Sequence, residues 1–280
     1  MKAVAFDYLR PENLSAGLQA LADQSAGIVK VMGGSQSLGP MLNLRLARPN
    51  QVVDVSGFTE MQQVSEDGEW LLVGGAITHS QIEDGVFAAL RGTLLAEVAP
   101  QIAYRAIRNR GTLAGSLAHA DPAADWVLVA FTLGAEVELR SVRGQRRLSM
   151  AEFMLGAYTT VLAEDELITG LRIPRLGPRA AWGYHKLCRK TGEFAEASCS
   201  AVFDPDRGLA RIVLGALDGP PLLLGELSVA VARQGAAALE PAALVKAVAS
   251  VTPGKDAVDR QQSLTALRRC LDSIFKEPRV

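Results

Sequence analysis

Cysteine, histidine and aromatic residues are all scarce in this chain of 280 residues: three Cys, three His, and 5% Phe, Trp and Tyr combined. Cys188, Cys199 and Cys270 are too widely and irregularly spaced for a disulfide framework or a zinc or iron–sulfur ligand set, and read as reduced, buried thiols. His79, His119 and His185 show no metal-ligand spacing, and no Ser or Thr stands in a pattern with His and an acid that would support nucleophilic catalysis. Neither charge sign predominates. With 29 Lys and Arg against 30 Asp and Glu, the net charge of −1 leaves no electrostatic footprint for nucleic acid. Long apolar runs are absent too; the stretch 126–135 is far too short for a membrane span. The first ten residues lack the apolar centre and small-residue cleavage site of an export signal, so the expected location is the cytoplasm.

Glycine is plentiful, at 26 residues, and two clusters of it carry most of the information. The first reads Gly33-Gly34-Ser35-Gln36-Ser37-Leu38, directly after an apolar stretch ending at Met32. The second, about eighty residues on, reads Gly111-Thr112-Leu113-Ala114-Gly115-Ser116. A missing side chain lets peptide N–H groups come close to an anion, and neighbouring hydroxyls add donors without adding charge. Neither turn contains Lys or Arg. Taken together they suggest a nucleotide diphosphate held between two lobes by neutral donors. The G-x-G-x-x-G spacing of a Rossmann fold is missing, which disfavours that fold.

Periodicity divides the chain into three parts. In residues 1–58, Asn13 caps a helix to about Ala22, with Leu14, Leu18 and Leu21 on one face, and strands are expected at 28–32 and around Val52, Val53 and Val55. In residues 59–175, a strand at 70–73 precedes a capping box formed by Thr78 and Gln81, which predicts a helix from His79 to about Leu90 with His79 solvated. Helical spacing recurs at 94–103. Asp121-Pro122 reads as the start of a helix ending before Gly134, with Asp121 as its cap rather than a catalytic base. A hairpin turning at Arg143-Gly144-Gln145 and a strand at 167–173 complete this part. Residues 176–280 read as a small antiparallel sheet followed by Ala- and Leu-rich helices. Arg108 and Arg110, just before the second turn, either offset phosphate or partner charge or are solvated; His119, just after it, either faces a cofactor or makes a structural hydrogen bond.

The run from Gly33 to Pro49, the segment IRNRGTLAGSLAHADPAAD at 107–125, and the stretches 165–174 and 184–195 closely resemble the flavin-binding medium subunits of molybdenum hydroxylases, a family that includes carbon monoxide dehydrogenase and xanthine dehydrogenase. The resemblance extends over essentially the whole chain. It implies an α+β protein: a two-lobed FAD-binding unit of the vanillyl-alcohol-oxidase type and a C-terminal domain of antiparallel sheet plus helices. It further implies noncovalent FAD, with Met32, Gly33, Gly34, Ser35, Gln36, Ser37 and Leu38 in the first loop and Thr112, Leu113, Ala114, Gly115 and Ser116 in the second holding the diphosphate. Asp125 falls where relatives place a carboxylate near the FAD sugar, and Ile168, Lys186 and Tyr184 fall near the flavin. Ser35 and Ala114 depart from the family by replacing glycines, which is tolerated unless either position needs positive φ.

The implied partners are a large molybdopterin-binding subunit, which oxidises the substrate, and a small subunit carrying two [2Fe-2S] clusters. The implied role is electron transfer through FAD to NAD, a quinone, oxygen or another acceptor, with no residue of this chain acting on the organic substrate. A free-standing FAD oxidase or reductase is the alternative, distinguished by oxygen consumption of the lone chain. A cofactor-free scaffold, suggested by Ser35 and Ala114, is distinguished by the absence of a flavin spectrum.

Overall fold

The computed structural model describes residues 2–276; residue 1 and residues 277–280, the outer ends of the first and third parts, lie outside the described residues. The chain opens with β1 (Asp7–Leu9), α1 (Leu14–Ala22), β2 (Val29–Met32), α2 (Leu38–Asn43) and β3 (Gln51–Asp54). The three strands form a parallel sheet in the order β1-β3-β2. Asn13 caps α1 through its side-chain oxygen, which accepts from the Ala16 N–H at 3.0 Å. The buried side chains Leu14, Leu18 and Leu21 join Val53, Val55, Phe58 and Met61 in one core. Gly17 is part of that packing, because a Cβ there would lie 2.6 Å from the Phe58 ring.

A five-stranded antiparallel sheet follows, in the order β4-β5-β10-β6-β7, from β4 (Val64–Asp67), β5 (Trp70–Gly74), β6 (Glu136–Ser141), β7 (Gly144–Ser149) and β10 (Leu167–Pro174). Between β5 and β6 lie the helices α3 (His79–Glu83), α4 (Leu94–Val98), α5 (Arg105–Arg108), α6 (Leu113–His119) and α7 (Asp125–Leu133). Between β7 and β10 come α8 (Met150–Phe153) and a small hairpin, β8 (Met154–Gly156) with β9 (Thr159–Thr160). The capping box at Thr78 and Gln81 is formed. The helix it starts ends at Glu83 instead of reaching Leu90, because Gly85 turns into the left-handed region (φ +62°) and its carbonyl is taken by the Arg91 guanidinium at 2.7 Å.

The last part is an antiparallel sheet, β11 (Ala181–Leu187), β12 (Ala197–Asp204), β13 (Leu209–Gly215) and β14 (Leu222–Leu223), with α9 (Gly225–Gln234), α10 (Pro241–Val251) and α11 (Ala257–Phe275). The expected α+β architecture is what the chain adopts. Helix α7 shows how the second and third sheets are joined. Trp126, Val127, Leu128, Val129 and Ala130 are all buried, so this helix is apolar on every side. Such a helix belongs between two layers, and α7 packs against β10 on one side and β12 and β13 on the other. Helix α11 covers the opposite face of the third sheet, lying so close to β11 that a Cβ at Gly183 would overlap the Cys270 carbonyl. Among the described residues, no helix is long and apolar enough to cross a membrane.

Candidate dinucleotide site

The first glycine cluster is the connection from β2 to α2, and the second is the entry to α6. They meet. A Cβ on Gly34 would overlap the Arg110 carbonyl and lie 2.7 Å from the Gly111 Cα, while one on Gly33 would sit 2.8 Å from the Thr112 hydroxyl. These two glycines therefore answer first to the other loop: only a bare Cα lets the segments touch. Beside the contact lies a cavity of about 1300 Å³ whose wall includes Gly33, Gly34, Ser35, Gln36, Ser37 and Leu38, and across from them Thr112, Ala114, Gly115 and Ser116.

The two segments present different chemistry to that cavity. Among the described residues, the N–H groups of Gly33, Gly34, Ser35, Gln36 and Ser37 donate to no protein acceptor, and the loop is braced from within by the Gln36 amide on the Gly34 carbonyl (2.8 Å) and the Gly39 N–H on the Ser35 carbonyl (3.0 Å). Ser35 holds φ +59°, so this is a position that needs the left-handed region, which L-residues adopt at a cost of about 1–2 kcal/mol. In the second segment the amides are already used. Leu113 N–H donates to the Ile77 carbonyl (3.0 Å), Ala114 to Gly75 (2.9 Å), Gly115 to the Thr112 hydroxyl (3.2 Å) and Ser116 to the Thr112 carbonyl (3.1 Å). Neutral donors were expected from both turns; in the second, the amides are spent on capping α6 and on tying it to the segment that follows β5, which leaves the Ser116 hydroxyl as its free donor. Ala114 carries no strain of the Ser35 kind, being helical. The hydroxyls of Ser35, Ser37 and Ser116 have no protein partner among the described residues, and all three residues line the cavity.

Asp125 opens α7 and also lines the wall. Its Oδ1 accepts from the Tyr184 hydroxyl and from Lys186 Nζ at 2.9 Å, and Lys186 also donates to the Gln101 carbonyl at 2.7 Å. Both members of this ion pair are buried, with side chains 7% and 8% exposed. Burial, then the Asp125 charge, hold the Tyr184 hydroxyl well above the usual phenol range. Ile168 is on the wall. Tyr184, Lys186, Met32 and Leu113 are not; the first two stand behind Asp125, and Leu113 is buried in the core of the second sheet.

Other sequence expectations change around the cavity. His79 is buried, not solvated, because α3 packs it between Gly111 and Trp126. Asp121 does not cap α7, which starts at Asp125; its carboxylate instead accepts from the Ala123 N–H (2.9 Å) and the Tyr158 hydroxyl (3.1 Å), closing a turn ahead of the helix. His119 lines the wall with its ring tilted against Tyr158 at 5.2 Å. Arg108 is buried and clamps Glu83 with two contacts of 2.8 Å, an internal brace off the wall; Arg110 is exposed. Sequence reasoning gave no role to Gly192 and Phe194, which the loop between β11 and β12 brings to the cavity; the available signal was their place in the family-like stretch 184–195. Among the described residues no group of His, Cys, Asp and Glu could hold a metal.

Open amides and free hydroxyls against a large cavity of mixed apolar and polar lining are the donor set expected for a dinucleotide diphosphate. Residues 4–176 match the FAD binding domain in molybdopterin dehydrogenase, and the chain belongs to this family. It is therefore an FAD-binding medium subunit of the molybdenum hydroxylase class, an oxidoreductase component. Caffeine dehydrogenase subunit beta of Pseudomonas sp. (strain CBB1) is 35% identical over 79% of this chain and 76% of that protein. The nicotine 6-hydroxylase medium subunit of Paenarthrobacter nicotinovorans is 35% identical over 72% and 70%. Carbon monoxide dehydrogenase from Hydrogenophaga pseudoflava is similar in structure, with a TM-score of 0.89 at 28% identity, covering 98% of this chain and 99% of that one.

Proposed function

We propose that this chain is the electron-transfer flavoprotein of a three-subunit molybdenum hydroxylase. It takes electrons from [2Fe-2S] clusters on a small partner and passes them to NAD, a quinone, oxygen or another acceptor, while a large molybdopterin subunit oxidises the substrate. The observation that carries the reading is the row of undonated amides at residues 33–37 beside the free hydroxyls of Ser35, Ser37 and Ser116, all on one cavity. FAD bound there supplies both one- and two-electron chemistry.

The protein's own part is to bind and orient. The first loop donates to the diphosphate through its amides. Ser116 adds a hydroxyl from the opposite side, and Thr112, Leu113, Ala114 and Gly115 keep α6 fixed in place beneath it. Asp125 offers a carboxylate whose position is set by Tyr184 and Lys186, and Ile168 contributes an apolar wall that excludes water. We read residues 1–58 and 59–175 as the two lobes of the site and 176–280 as the unit that braces it through β11.

The test is to purify the full chain and measure its visible spectrum with FAD, then assay it with and without its co-expressed partners. The expected outcome is a bound flavin that accepts electrons only when the iron–sulfur subunit is present. Substrate turnover by the lone chain would overturn the assignment in favour of a free-standing oxidase.

A further inference from the structure

His79 follows the capping residue Thr78 and is 5% exposed. Its ring is held on one side by Trp126, whose Nε1–H donates to His79 Nδ1 at 2.9 Å, with the two rings edge-on at 5.8 Å and 64°. Its backbone N–H donates to the Gly111 carbonyl at 3.0 Å. An indole nitrogen can only donate. Nδ1 is therefore the bare nitrogen, and the proton of the neutral ring sits on Nε2. That Nε2 rests against Gly111, 2.7 Å from where a Cβ would be, and His79 lines the cavity. Among the described residues it has no protein acceptor, and it is not one of the sealed, unsatisfied polar atoms. Burial, helped by the Arg108 charge, lowers the imidazole to about 4, so the ring stays neutral near neutral pH, and the Trp126 donor fixes which nitrogen keeps the proton.

We propose that His79, oriented by Trp126, donates its Nε2–H to the dinucleotide bound in this cavity. The inference rests on the FAD reading above and adds a specific donor to it. An N–H there serves an acceptor on the cofactor, either a phosphate oxygen or a carbonyl or nitrogen of the flavin ring. A neutral donor of this kind stabilises negative charge without bringing a mobile proton.

The full chain is titrated with FAD and with ADP, which has the diphosphate and no flavin ring, as wild type, His79→Leu and His79→Gln. The expected result is FAD affinity reduced by about tenfold or more in His79→Leu, with most of it recovered in His79→Gln. A parallel loss with ADP assigns the contact to phosphate; unchanged ADP binding with a shifted flavin spectrum and midpoint potential assigns it to the ring. A His79→Leu protein that binds both probes as wild type does, with an unaltered flavin spectrum, overturns the inference. Nitrogen-15 histidine NMR of the wild type tests it independently of whether the variants fold: His79 should carry its proton on Nε2, and that resonance should move when FAD is added. A proton on Nδ1, or an Nε2 signal unmoved at saturating FAD, overturns the inference while leaving FAD binding intact. A wild-type chain that takes up neither probe overturns the cofactor reading as well.

Discussion

The two sides of the cavity reach the same space by opposite means. On the side of the first sheet, the loop at 33–38 keeps its amides free and accepts a left-handed Ser35 to do so. On the other side, every amide from Leu113 to Ser116 is bonded, Asp125 is locked to Lys186 and Tyr184, and His79 is fixed by Trp126. One wall is left unsatisfied and the other is braced. The lesson is that a shared glycine-rich appearance does not imply a shared job: the same residue types supply donors in one segment and allow close packing in the other.

That contrast can be broken most severely on the braced side. Lys186→Met leaves the Asp125 carboxylate buried without its cation, and should lower stability by about 3–5 kcal/mol in denaturant unfolding. Adding Asp125→Leu to it should recover much of that loss, since removing both charges is far less costly than removing one.

A pH dependence comes next. Because the His79 imidazole is lowered to about 4 from its ordinary 6.5, the unfolded chain takes up a proton in this window that the folded chain refuses. Its contribution, on the order of 3 kcal/mol, should be present in full above pH 6.5 and lost as pH falls through 4. Thermal unfolding of wild type and His79→Leu across that range should show the wild type losing stability more steeply.

On the open side the expected effects are smaller in stability and larger in binding. Gly34→Ala sets a Cβ against the backbone of Arg110, which cannot move aside, and should cost about 1–3 kcal/mol together with most FAD affinity. Gly33→Ala meets a side-chain hydroxyl, that of Thr112, rather than main chain, and should be milder in both measurements. Back on the braced side, Thr112→Ala removes the cap of α6 and should cost about 1 kcal/mol. The smallest change is Ser35→Gly, which relieves the left-handed strain and should raise the unfolding free energy slightly, by less than about 1 kcal/mol; the Ser35 hydroxyl can also be a ligand contact. In that case FAD titration shows the loss that unfolding does not.

Local signals were legible wherever the chain makes its own decisions. The Asn13 cap, the Thr78 and Gln81 box, the Gly134 stop and the hairpin at Gly144 all appear where the sequence puts them. The strand β1, too short to show alternation, did not announce itself, since it exists only through pairing with the distant β3. The site was legible as two loops but not as two different loops. Which amides are free depends on Ile77 and Gly75 standing beside Leu113 and Ala114, and nothing in the local composition records that neighbour. His79 was misread for the same reason: a helix start with a polar residue looks solvated until Trp126, 47 positions away, is folded onto it.

The bare Cα of Gly34 against the Arg110 carbonyl has an evolutionary consequence. Positions 34 and 110–111 form a single steric unit, although they are far apart in the chain. A descendant that gains a methyl at the first position must displace the main chain at the second in the same lineage. Side-chain exchange elsewhere cannot compensate, since the obstacle is peptide and not substituent.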